Sequence, residues 1–352
     1  MSTEPVLVGA GMMTAVGLSA AETAASVRAT VMAFGETPLK DIQLEPFTLA
    51  EVPKDGLPPL HPQLVAAGLT GREARLVQLA GPALAECLAP LVDLGVRPGV
   101  FLALPEADAP QAVDGGAFLE WLAVQTHGGF ERARSDASFV GRAGGLIAIG
   151  RALLAIQSGD ASFAIAGGVD TYRDLDRLLA LDARGRVKSS VHMDGFIPGE
   201  GAGFLLIASE SAARRAAMPV LARLSAPAQG FEHGHLYSEE PYRGDGLAAV
   251  VRDLVESGAV EAPFREVFSS MNGESHWAKE WGVSVIRNSA AFDPTFRMHH
   301  PADSFGDTGA AAGPVMVGLA ALGLAGGYRA HPSLVYCSSD HGDRAALTVS
   351  AA

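Results

Sequence analysis

Cysteine is scarce in this chain. Cys87 and Cys337 are the two thiols in 352 residues, far apart and without the spacing of a disulfide framework or a thiolate metal cage. Neither a disulfide scaffold nor a resident metal or cofactor is expected, and a reducing, cytoplasmic setting fits. Charged residues are few at 18%, and acidic ones prevail: 39 Asp and Glu against 26 Lys and Arg give a net charge of -13. The cations are scattered, so nucleic acid and anionic membrane surfaces are not expected partners. The opening residues, "MSTEPVLVGAGMM", have no basic segment ahead of a long apolar one, unlike a secretory signal. One uncharged run, residues 308–328, is long enough to cross a bilayer. Gly and Ala dominate it, Pro314 interrupts it, and Asp307 and Arg329 flank it, so a buried helix is expected rather than a membrane span.

Apolar residues, by contrast, make up 48% of the chain, enough for a sizeable core. "PVLV" at residues 5–8 reads as a short buried strand followed by the loop "GAGMMTAVG", and "PGVFLALP" gives another strand around 100–104. Between them, "SAAETAASVRAT" and "REARLVQLAGPALAECLAPLVDLG" have helical periodicity, which places Cys87 on a helix as a small core residue. Strands alternating with helices point to an α/β layered fold.

Two distant segments repeat one order of elements. "GRAGGLIAIGRALLAIQSGDASFAIAGG" (141–168) is a Gly-rich opening, an apolar helix, a turn and a strand, and "GDTGAAAGPVMVGLAALGLAGGYRAHPSLVYCSSD" (306–340) repeats it. Helices apolar around most of their circumference need cover on several sides. A duplicated fold follows, with the two helices back to back between two sheets and the halves meeting near 210–219, as 1–212 and 213–352. Arg142, at the opening of the first helix, is anomalous, because a helix start is already electropositive.

The residues resemble the β-ketoacyl-acyl-carrier-protein synthases of the thiolase superfamily. "DGFIPGEGAGFLLI" from Asp194 is similar to that family's "DGF..GEGAG" signature, "GDASFAIAGGVD" from Gly159 to its segment after the nucleophile, "VGAGMMTAVG" to its opening strand and loop, and "GDTGAAAG" to its "GH..GAAG" box. The resemblance implies a thiolase-like, five-layered α-β-α-β-α fold from two duplicated halves. It also implies a cysteine nucleophile at a helix start and two histidines that stabilise an enolate. Those positions fall on Arg142, Asn272 and Asp307, and the lysine upstream of the second histidine falls on Ala302. Arginine cannot act as the nucleophile, asparagine cannot relay a proton at neutral pH, and a carboxylate repels an enolate. Arg142 is expected to be compensated by Asp307 and by Glu274 in the remnant of a condensing pocket.

Glu274, His276, Asp303, Cys337 and Ser338 are the further expected pocket residues. Cys337 lies near a loop that carries a catalytic cysteine in the thiolase branch, but the end of an apolar strand is an ordinary place for a structural thiol. Ser138 has no paired base in sequence. His233 and His235 lack a third spaced ligand, and His299, His300, Asp303 and Asp307 suit a polar pocket wall, with an acid-base role as the alternative. The Gly-rich turns do not make a dinucleotide fingerprint. Three functions remain open: a degenerate, non-condensing partner subunit of the ketosynthase/chain-length-factor type, an acyltransferase with an altered mechanism on acyl thioesters, and a scaffold. The implied partners are a second copy or a ketosynthase-like subunit, and acyl-carrier protein. "ERARSDASFV" (131–140) is the candidate pairing strand.

Overall fold

The computed structural model describes residues 3–107, 112–258, 260 and 262–352. The first part of the chain runs β1 (Pro5–Thr14), α1 (Ala20–Arg28), β2 (Gly35–Lys40), β3 (Pro46–Leu49), α2 (Pro62–Ala67), α3 (Gly71–Val92), β4 (Gly99–Ala103), α4 (Gly115–Gln125), β5 (Asp136–Ser138), α5 (Gly144–Gln157), β6 (Phe163–Thr171), α6 (Leu175–Asp182), β7 (Glu200–Ser209) and α7 (Glu210–Arg215). The second runs β8 (Arg223–Leu224), β9 (Ala228–Phe231), α8 (Asp245–Glu256), β10 (Phe264–Ser269), α9 (Ser275–Arg287), β11 (Phe292–His299), α10 (Ala302–Phe305), α11 (Ala312–Ala325), β12 (Ser333–Ser338) and β13 (Asp343–Ser350).

β2 and β3 pair as a separate ribbon, β9 pairs with β13, and the remaining strands form two sheets of one topology. The order β1-β7-β6-β4-β5 in the first is matched by β8-β13-β12-β10-β11 in the second. The three strands at the β5 or β11 end of each sheet run parallel to one another and the other pairings are antiparallel, in both sheets. Between the sheets lie α5 and α11, whose apolar side chains join residues of β6, β7, β12 and β13 in one core cluster. α3 and α4 cover the outer face of the first sheet, and α8 that of the second. The fold is therefore a five-layered α-β-α-β-α sandwich of thiolase type.

The back-to-back contact depends on small residues. A Cβ on Gly145 of α5 would stand 2.3 Å from Pro314 Cδ of α11, closer than real contacts allow, so glycine is required there. The uncharged run at 308–328 resolves into α11, fourteen residues long and mostly buried, short of the ~20 residues a span needs. α3 is long and apolar enough by length and composition to cross a membrane. Its buried stripe packs on the first sheet, and a Thr70–Glu73 capping box fixes its start.

Two expectations need correction. The opening strand continues to Thr14, through residues read as loop, because β1 pairs with β7 along its whole length around an irregularity between Leu7 and Gly9. α5 is not enclosed on all sides. Arg151 and Leu154 face solvent, because the first sheet ends at the three-residue strand β5 and leaves that side of the helix uncovered.

Candidate functional site

Each central helix is entered through a single 3-10 turn, Gly141–Ala143 ahead of α5 and Gly309–Ala311 ahead of α11. Gly141 and Gly309 have φ of 62° and 50°, a left-handed conformation natural to glycine. Asp307 sits just before the second turn, and its Oδ1 accepts the Gly309 N–H at 2.8 Å. Its backbone is pinned by the Asp194–Gly199 loop: Asp307 N–H donates to Ile197 O at 3.0 Å, and Gly199 N–H to Asp307 O at 2.9 Å. A Cβ on Gly199 would lie 2.3 Å from Phe305 O, so this glycine permits the approach.

Arg142 projects into the space between the turns and is 3% exposed. Its Nε donates to Asp307 Oδ2 at 2.9 Å, with Nη2 on the same oxygen, and its Nη1 donates to Asp340 Oδ1 at 2.6 Å. Asp340, which follows β12, also takes Arg186. Arg186 in turn forks onto Glu274, with Nε and Nη2 each 2.7 Å from a carboxylate oxygen. Asn272 Nδ2 bridges Asp307 Oδ2 at 2.8 Å and Glu274 Oε2 at 3.1 Å. Trp277 donates its indole N–H to Glu274 at 2.9 Å, and its ring centroid is 5.2 Å from the Arg142 guanidinium. Two cations, three carboxylates and neutral donors thus fill the site. Burial of ions is tolerated only when they are paired and hydrogen-bonded in this way.

Burial alone would raise the Asp307 carboxyl, but the Arg142 guanidinium and the donors on it hold the group below its usual range. Asp340 is likewise opposed by burial and is held far below that range by Arg142 and Arg186. The Arg142 pKa would fall on burial, yet Asp307 and Asp340 carry it well above its usual value. Arg142, Asp307 and Asp340 are therefore held in their ionised forms near neutrality. Beneath them, a cavity of about 20 Å³ touches Ser269, Ser270, Ala302, Asp307 and Met316. That is room for about one water molecule.

Arg142, Asn272 and Asp307 therefore share one cluster. Glu274 is part of it but pairs with Arg186 rather than Arg142. Ser338 contributes its carbonyl to Arg142 at 3.4 Å, while its hydroxyl donates to Glu280 at 2.5 Å. His276 lies at the periphery, packed on Tyr242 and Trp277 with ring centroids 4.8 Å away in each case. Cys337 is buried in the central apolar layer, where burial pushes its thiol pKa up and disfavours a thiolate. Ser138 is held in β5. Asp303 is exposed and lines a separate cleft with His299 and His300. His235 stacks near His341, and no cluster of metal-ligating side chains occurs among the described residues.

Sequence reasoning missed Arg186, Asp340, Trp277 and Glu106. Glu106 receives the Asp340 N–H at 3.1 Å and contacts His341 at 3.2 Å, and burial raises its pKa. The signal for Asp340 was present: it is a carboxylate directly after the strand that ends the second repeat.

Residues 142–213 match the family model described as the N-terminal domain of β-ketoacyl synthase. No curated protein matches the chain. In structure, the oxazolomycin ketosynthase domain OzmH KS7 of Streptomyces albus JA3453 superposes with a TM-score of 0.79 at 16% identity, covering 99% of this chain and 76% of that one. The ishigamide ketosynthase/chain length factor gives 0.78 at 17% identity and 100% of both chains. A ketosynthase of bacillaene synthase module 1 from Bacillus amyloliquefaciens FZB42 gives 0.74 at 13% identity, covering 100% of this chain and 73% of its own. The chain has the thiolase-type fold of those ketosynthases, and residues 142–213 match the β-ketoacyl synthase N-terminal pattern.

Proposed function

We propose that this protein is a non-condensing relative of the ketosynthases that acts as a partner subunit of the ketosynthase/chain-length-factor type. Arg142 then stands where the family has its cysteine, and Asn272 and Asp307 where it has its histidines. The observation that carries this reading is the clamp of Asp307 and Asp340 on Arg142, which occupies the site and leaves it space for about one water. No group in the clamp can take up an acyl chain as a thioester, and the carboxylates oppose a developing enolate. Cys337 is buried in the central apolar layer, where burial disfavours the thiolate.

The partner surface in this reading is the free edge of β5 with the adjoining solvent-facing side of α5, where Leu154 is 64% exposed. A strand edge at the end of a sheet, beside an exposed leucine, suits pairing with another sheet. Acyl-carrier protein is a second candidate partner; one similar structure is a type II ketosynthase in complex with its acyl-carrier protein. The two halves are taken as 1–212 and 213–352, in a cytoplasmic protein.

The test is intact-mass measurement after incubation with acyl- and malonyl-carrier proteins, beside co-purification with a catalytically complete ketosynthase. No adduct, together with a stable complex that Asp136→Pro and Leu154→Glu disrupt, is the expected result. An acyl adduct on any side chain would replace this reading with the altered-mechanism acyltransferase. No adduct and no complex would replace it with a scaffold.

A further inference from the structure

A second arginine-rich region lies away from the sealed site. The end of α1 and the residues after it face the β11–α10 connection and Arg329 across an open cleft of about 570 Å³. Arg28 stands 4.4 Å above the Tyr328 ring, and among the described residues it has no carboxylate or hydrogen-bond partner. Arg329 approaches the same ring, at 5.9 Å, and its Nη1 is 2.9 Å from His299 Nε2. The nearest buried carboxylate, Glu266, is already taken by Arg297 at 2.5 Å and by His299, leaving Arg329 at 3.8 Å. Asp303, the one carboxylate among the lining residues, stands by His300.

Two guanidinium groups on one aromatic ring repel each other, and the carboxylates around them do not balance the charge. In a chain with a net charge of -13, such an excess of cations in a concave site is the reverse of the surface average. Forked guanidinium donors match the tetrahedral oxygens of phosphate. The remaining wall is apolar: Val27, Met298 and Met32 line it, and Met32 is 67% exposed. A solvent-facing methionine beside Arg28 and an incompletely neutralised Arg329 suits a ligand with an anionic head and an apolar body.

We infer that this cleft binds an organic phosphate, with the phosphate between Arg28 and Arg329 and the apolar portion along Met32, Val27 and Met298. The site is independent of the ketosynthase-like reading of the clamp.

Isothermal titration of the full chain with hexyl phosphate, inorganic phosphate and hexanol tests it. Saturable binding of hexyl phosphate is expected, at least tenfold tighter than inorganic phosphate, with none of hexanol. Arg28→Gln and Met32→Glu are each expected to weaken hexyl phosphate at least tenfold, with unfolding midpoints unchanged, and Arg28→Lys to keep part of the affinity. Absence of saturable binding, or equal binding by Arg28→Gln and the parent chain, would overturn the assignment. Flotation with phosphatidate vesicles separates the two sources of a phosphate head. Flotation without hexyl phosphate binding would also overturn it, in favour of a lipid surface.

Discussion

The turns that open the two central helices are built alike and used differently. Gly141-Arg142-Ala143 and Gly309-Ala310-Ala311 share a left-handed glycine, a 3-10 turn and burial between the sheets. Each is also capped by the opposite half. Ala310 N–H donates to Asp170 at the end of β6 at 3.2 Å, and Ala143 N–H to Ser339 after β12 at 2.9 Å. The difference is the middle side chain: a methyl group in one, a guanidinium in the other. The backbone of the turn belongs to the fold, while its side chain belongs to the site, and in the first turn that side chain is a cation with its own set of anions.

The sharpest break of this comparison is Arg142→Ala, which makes the two turns alike in sequence. It leaves Asp307 buried without its counter-ion, and a loss of about 3–5 kcal/mol in urea unfolding is expected, with a similar loss for Asp307→Ala. Adding Asp307→Asn to Arg142→Ala is expected to recover part of that loss, since Asp340 keeps Arg186. A double-mutant cycle measures the recovery, and strict additivity would mean the pair is not coupled.

Acid sharpens the comparison next. Asp307 and Asp340 have folded pKa values below their unfolded ones, so their stabilisation is present above the unfolded value and is lost as pH falls through the folded values. Thermal unfolding is expected to drop steeply below about pH 4, and less steeply in Asp307→Asn. The smallest effect is at Glu106. Its folded pKa is raised, so what it contributes is present at low pH and lost as pH rises through that value. Glu106→Gln is expected to raise the urea midpoint slightly at pH 7 and not at pH 4, because the amide oxygen still accepts the Asp340 N–H.

The layering was legible because it rests on local patterns: apolar helices behind Gly-rich openings, each followed by a turn and a strand. The signature from Asp194 located the loop that pins Asp307. The convergence of Arg142, Asn272 and Asp307 came from motif resemblance and not from periodicity. Partner choice was not legible, since Glu274 meets an arginine 88 residues away and Asp340 one 198 residues away, and sequence gives ion types without their pairing. Asp303 was misplaced for a simpler reason: in the four-residue α10, Phe305 turns inward and Asp303 outward.

The reciprocal capping of the two turns has a consequence for the handling of the molecule. Each half supplies the polar acceptor and the apolar cover that the other's central helix requires, so neither is a self-sufficient module despite the repeated topology. Expressed without β8–β13 and α11, the remaining chain would present α5 as a greasy rod whose opening turn has lost its cap from Ser339.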